Sequence, residues 1–172
     1  MFVAGRVAGY MGPVAIDQLT ERNKQHAERF SDEGLAPAPT LEVAVVTCMD
    51  CRIDPYSALG LEPGEAHVIR NAGGRARDAL RSLIVSQRKL GTREIMLITH
   101  TTCGMASFDN AEFQDELGTD IDFETFESPE QAAAEDAAWL REHPLIHEDT
   151  TVRAFVYDVN TGALTEQGGP ST

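Results

Sequence analysis

Two short apolar runs in this chain end in groups that bind soft metals. Val43-Ala44-Val45-Val46-Thr47 leads into Cys48, and Ile95-Met96-Leu97-Ile98-Thr99 leads into His100, with Cys103 three residues further on. Runs this short, continuous and rich in β-branched residues are expected of parallel strands buried on both faces. Open α/β sheets gather their sites at the carboxyl ends of such strands. The H-x2-C spacing lets His100 and Cys103 reach one ion, and Cys48 would arrive from a neighbouring strand. Taken singly, each cysteine reads as a small buried hydrophobe and the histidine as a satisfied core residue. Taken together, two thiolates and one imidazole make a zinc set with the fourth tetrahedral position open, which distinguishes a catalytic zinc from a structural one.

Cys48-x-Asp50-x-Arg52 adds a carboxylate and a guanidinium to the same loop. Alone they would be an ordinary loop ion pair that stabilises little; beside a metal-bound water they have chemical work. Cys51 keeps two other readings open, because Cys48-Met-Asp-Cys51 is also a C-x-x-C. One is a closed structural zinc site with three Cys and one His ligand. The other is a redox dithiol. Both leave Asp50 and Arg52 without a task, and the favoured reading makes Cys51 a packed free thiol. His26, His67, His143 and His147 read as surface residues.

The stretches V-V-T-C-M-D-C-R-I-D at 45–54, H-V-I-R-N-A-G-G at 67–74 and I-T-H-T-T-C-G-M at 98–105 resemble the β-class carbonic anhydrases, in particular their short bacterial-type branch, which also includes carbonyl sulfide hydrolases. The resemblance runs from about Val43 to Met105. It implies an α/β fold with a mostly parallel central sheet flanked by helices and an N-terminal helical arm. It implies Zn2+ on Cys48, His100 and Cys103, and hydration of carbon dioxide to bicarbonate by a metal-bound hydroxide. Asp50, held by Arg52, would accept that hydroxide's proton; without Arg52 it could swing onto the metal and close the site. Carbonyl sulfide hydrolysis is the alternative with the same ligands. Gly73 and Gly74 are candidate substrate-binding residues, since glycine lets backbone approach a ligand closely. Thr102 stands where many such relatives have Asp.

The rest of the chain sets the frame. Its 172 residues suffice for one domain with a real core. A formal charge of −14 and only two lysines, Lys24 and Lys89, argue against nucleic-acid or anionic-membrane partners. No apolar run approaches the roughly 20 residues of a membrane span, Met1–Pro13 lacks the apolar core of a signal peptide, and an odd cysteine count points to the reducing cytoplasm. Residues 1–40 are expected to be an arm and helix (about 15–30) whose thin apolar stripe of Ile16, Leu19, Ala27 and Phe30 needs something to lie against; the resemblance implies that this is a partner subunit, in a dimer or a dimer of dimers. Residues 41–172 are the zinc-binding catalytic domain. Within it the pattern predicts a short helix from Asp54-Pro55 to Gly60 and a strand over 66–70. A helix over 77–90 follows, with Leu80, Leu83, Ile84 and Gln87 on one face, and stops at Gly91. A helix near 109–117 comes next, then a helix from a Ser128-Pro129-Glu130-Gln131 capping box to Glu142. A hairpin about Asn160-Thr161-Gly162 and a loose tail over 168–172 complete the reading.

Overall fold

The computed structural model describes residues 15–31 and 34–168. The chain divides into two units, residues 1–35 and 36–172. The described part of the first holds helix α1, Ala15–Ala27, which buries none of its residues; Ile16 and Leu19 are 68% and 58% exposed. The expected lead-in over 1–14 and nearly all of the expected tail lie outside the described residues.

Among its described residues the second unit carries five strands: β1 Val43–Cys48, β2 Ala66–Asn71, β3 Glu94–His100, β4 Thr151–Tyr157 and β5 Leu164–Gln167. They form one sheet in the order β2-β1-β3-β4-β5, parallel except for the β4–β5 hairpin. The helices are α2 Pro55–Leu59, α3 Ala76–Leu90, α4 Asn110–Leu117 and α5 Pro129–Glu142. This is the mostly parallel, helix-flanked α/β architecture that the pattern implied. Chain order reverses between β1 and β3, so the sheet opens a crevice at their carboxyl ends, where ligands collect.

One face of the sheet packs on α3 and α5. Ala44, Val46, Ile95, Leu97, Val152 and Ala154 meet Ala76, Ala79 and Leu83 of α3 and Ala133, Ala137 and Leu140 of α5. Alanines at the contacts bring both helix backbones close to the sheet. The large side chains Leu83, Ile95, Leu97 and Leu140, fully buried, each contribute about 1.5–3 kcal/mol through removal from water. The buried stripe of α3 is Ala76, Ala79, Leu83 and Ser86, with Leu80 packed at its edge. Ile84 and Gln87, expected on that face, are only partly buried. The small residues won that face because the helix lies tight on the sheet. At Gly91 the backbone N–H bonds back to the Gln87 carbonyl, the Thr92 N–H bonds back to the Ser86 carbonyl, and the helix closes.

Ser128 caps α5 by accepting from the Gln131 N–H, but the expected reciprocal box is not made: the Gln131 side chain donates to Glu135. His67, expected at the surface, is half-buried and hydrogen-bonded at both ring nitrogens. Its Nε2 donates to the Pro37 carbonyl and its Nδ1 accepts from the Ser86 hydroxyl, on the flank of β2. Among the described residues no helix is long and apolar enough to cross a membrane.

Candidate metal centre

β1 and β3 are adjacent and in register from Val43 opposite Glu94 to Thr47 opposite Ile98, so Cys48 and His100 emerge side by side at the carboxyl edge. The turn after β3 folds Cys103 back against them. The Sγ atoms of Cys48 and Cys103 are 3.9 Å apart, and with a ring nitrogen of His100 these ligand atoms all lie within 4.8 Å of one another. Two sulfurs each about 2.3 Å from one tetrahedral zinc would stand about 3.8 Å apart, so the spacing fits. His100 Nδ1 donates to the Thr101 carbonyl at 3.0 Å, which leaves Nε2 as the lone-pair nitrogen. That Nε2 is buried and has no hydrogen-bond partner among the described residues. A buried polar atom without a partner is costly, and beside two sulfurs a cation answers the deficit.

The electrostatics agree with a cation site. The Cys48 thiol is pushed down to about 4, first by the Cys103 thiol donating to its sulfur, with desolvation opposing and His100 and the backbone N–H groups of Asp50 and Gly73 assisting. Cys103, the donor of that pair, is pushed up. A bound dication would replace the shared proton and hold both as thiolates.

Asp50 and Arg52 form a forked pair: Arg52 Nε reaches Asp50 Oδ1 at 2.9 Å and Nη2 reaches Oδ2 at 2.6 Å. The Arg52 backbone N–H also donates to Oδ1 at 2.9 Å. These donors, the guanidinium first, hold the Asp50 carboxyl well below the usual carboxylate range. Its Oδ2 stands 3.8 Å from His100 Nε2, so the carboxylate faces the ligand cluster.

Three residues contribute that no role had been read for. Arg70, on β2, donates Nε to the Cys48 carbonyl at 3.0 Å and Nη2 to the Asp50 carbonyl at 2.7 Å, clamping the loop from the neighbouring strand. Asn71 accepts the Met49 N–H on its carbonyl and fixes the Arg75 backbone through its side chain. Thr102 accepts from Arg52 with its hydroxyl and its carbonyl. Arg70 and Asn71 sit within the H-V-I-R-N-A-G-G stretch, and that adjacency was the only signal available.

Gly73 and Gly74 are buried in the turn after β2, both at positive φ. A Cβ on Gly74 would stand 2.9 Å from the Ile98 carbonyl and 3.0 Å from the Cys48 nitrogen, so the turn packs directly on the ligand strands. A Cβ on Gly73 would stand 3.0 Å from the Phe126 ring and 3.3 Å from Met105. The ligand sulfurs are walled by apolar side chains: Ile53 is buried with them, and Met105, Phe126, Tyr157 and Val159 pack against the group. Cys51 is free, as expected, but exposed rather than packed, and it is not among the converging ligands.

Comparison with known proteins agrees with this geometry. The carbonic anhydrase family profile matches residues 43–122. Beta-carbonic anhydrase 1 of Mycobacterium tuberculosis is 41% identical over 157 residues, covering 87% of this chain and 96% of its own. Carbon disulfide hydrolase of Saccharolobus solfataricus is 36% identical over 181 residues, covering 87% and 89%. The crystal structure of carbonic anhydrase from Streptococcus mutans superposes with a TM-score of 0.84 at 40% identity, covering 91% of this chain and 99% of that one. A match of this extent to whole relatives, on a sheet whose β1–β3 crevice gathers two cysteines and a histidine, makes this chain a member of the β-carbonic anhydrase family.

Proposed function

We propose that the chain is a zinc-dependent carbonic anhydrase that converts carbon dioxide and water to bicarbonate and a proton, with Cys48, His100 and Cys103 as the ligands. The observation that carries this reading is the buried, unpartnered Nε2 of His100 beside two sulfurs, with an arginine-locked carboxylate facing it. Two thiolates and an imidazole suit zinc among the divalent metals. When bound, zinc supplies Lewis acidity that makes water a nucleophile near neutral pH.

The chain's own groups do the rest. Asp50, kept ionised by Arg52, can only accept hydrogen bonds, so it accepts one from the attacking oxygen and leaves that oxygen's lone pair turned to the substrate carbon. Arg52 holds that carboxylate away from the ligands. Ile53, Met105, Phe126, Tyr157 and Val159 offer a dry wall to a linear, uncharged substrate, and Gly73 borders the same space. The three unpaired cysteines fit a reducing, cytoplasmic setting. The exposed Ile16 and Leu19 of α1 fit an intersubunit arm in a dimer or dimer of dimers, which sedimentation at micromolar concentration checks.

A second reading has a specific observation behind it, since the Saccharolobus relative is named a carbon disulfide hydrolase. Carbonyl sulfide was the sulfur substrate expected from the sequence, and carbon disulfide joins it. With one water, carbonyl sulfide gives carbon dioxide and hydrogen sulfide; with two, carbon disulfide gives carbon dioxide and two hydrogen sulfides. The ligand set serves all three substrates. The deciding experiment assays carbon dioxide hydration beside hydrolysis of both sulfur compounds on zinc-loaded protein. Carbon dioxide hydration should dominate. Sulfur hydrolysis without it would install the second reading, and failure on all three substrates with zinc bound would refute both.

A further inference from the structure

Thr102 has a backbone that threonine rarely adopts. Its φ is +53°, in the left-handed region, where a β-branched side chain is a genuine outlier. Such outliers persist where the surroundings over-determine them, and they concentrate at functional sites. Thr102 lies between the ligand residues His100 and Cys103, and both its oxygens are committed to one partner. The hydroxyl accepts from Arg52 Nη1 at 3.1 Å and the carbonyl from Arg52 Nη2 at 3.0 Å.

Thr102 therefore accounts for two of the contacts on the Arg52 guanidinium, and Asp50 for the other two, through Nε and Nη2. The Arg52 side chain is 46% exposed. A pair that open to solvent, held only by its own carboxylate, would be loose. Thr102 closes the far side of the guanidinium and joins the 48–52 loop to the 100–103 turn. Being neutral, it supplies two acceptors with no carboxylate to compete for the cation.

We propose that Thr102 is a positioning residue: its strained backbone and hydroxyl anchor Arg52, so that Arg52 holds Asp50 in place over the ligand cluster. The inference rests on the carbonic anhydrase reading for its effect on turnover, while the anchor itself is measurable without any substrate.

The test uses Thr102→Val, Thr102→Gly and Thr102→Ser. Valine keeps shape and strain but lacks the hydroxyl; glycine lacks the hydroxyl and relieves the strain, so it folds even if valine does not. Serine keeps the hydroxyl. Three quantities are read: zinc per chain, kcat and KM separately, and the hydrogen-exchange rate of the Arg52 Nε–H by NMR. Thr102→Val and Thr102→Gly should retain zinc, lose about tenfold in kcat with little change in KM, and speed Nε–H exchange by about tenfold or more. Thr102→Ser should restore both kcat and exchange. Wild-type exchange in both hydroxyl-less variants would overturn the proposal, as would their loss of zinc, which would make Thr102 a shaper of the ligand turn only. Were the parent protein inactive on all three substrates, the functional reading would fail, while the exchange rates would still decide the anchor.

Discussion

Arg52 grips Asp50 through Nε and Nη2 across two residues of sequence, and Arg75 grips Asp136 through the same two nitrogens across 61. The geometry is shared; the surroundings are not. Arg75 and Asp136 have side chains 9% and 4% exposed, and Asp136 also accepts the Ala76 N–H at the start of α3, so both of its oxygens are spent on holding the start of α3 to α5. Asp50 is 16% exposed and keeps Oδ2 turned toward an unpartnered histidine nitrogen. A carboxylate whose surroundings are complete is structural; one left facing an unmet need is placed for chemistry.

The comparison breaks first at Asp50. Asp50→Asn should retain zinc and lose about 10²–10⁴-fold in kcat/KM, because the amide can donate to the attacking oxygen and compete for its lone pair. Its Tm should move by no more than about 2 °C, as expected for a partly solvated pair. Steady-state kinetics with metal analysis and thermal melting check both halves. A large Tm loss with kinetics intact would make Asp50 a second Asp136.

Asp136→Ala should show the reverse. It leaves the buried Arg75 guanidinium and the Ala76 N–H without their acceptor, a loss of about 3–5 kcal/mol. For a chain of this size that lowers Tm by about 6–20 °C. Activity per folded molecule, assayed well below that Tm, should stay within about twofold of the parent.

Glu124 sharpens the structural side. Its φ is +54°, its Oε2 makes no hydrogen bond, and it stands 3.7 Å from Arg75 Nε. Burial pushes its carboxyl up, with Arg75 opposing. A carboxyl raised on folding contributes stability that is complete below its unfolded value, near 4.3, and that is lost as pH rises through the folded value. Glu124→Gln removes that loss. The variant should melt up to about 2 °C higher at pH 7, a small gain because Arg75 opposes the effect of burial, and level with the parent near pH 3.

These two pairs also mark what sequence could reveal. Cys48, His100 and Cys103 were legible because each follows a buried β-branched run, and strand direction alone puts their side chains at one edge. Asp50 and Arg52 were legible because they are two residues apart on the loop Cys48 begins. The Arg75–Asp136 pair spans α3 and α5, and no local pattern ties residues 61 apart. Thr102 was visible as an unusual residue in a motif, but its task depends on a contact 50 residues away. The face of α3 was read in part: Leu83 and Leu80 pack on the core as apolar periodicity favours, but close packing on a sheet turns the buried stripe toward Ala76, Ala79 and Ser86 and leaves Ile84 and Gln87 half-buried.

The smallest expected change is at Cys51, and it belongs to the most direct test of the metal centre. Zinc per chain is measured in the parent, in Cys48→Ser, His100→Ala and Cys103→Ser, and in Cys51→Ser. An open three-ligand centre predicts about one zinc in the parent and in Cys51→Ser, and almost none in the other three. Loss of zinc from Cys51→Ser, or its full retention in Cys103→Ser, would contradict it.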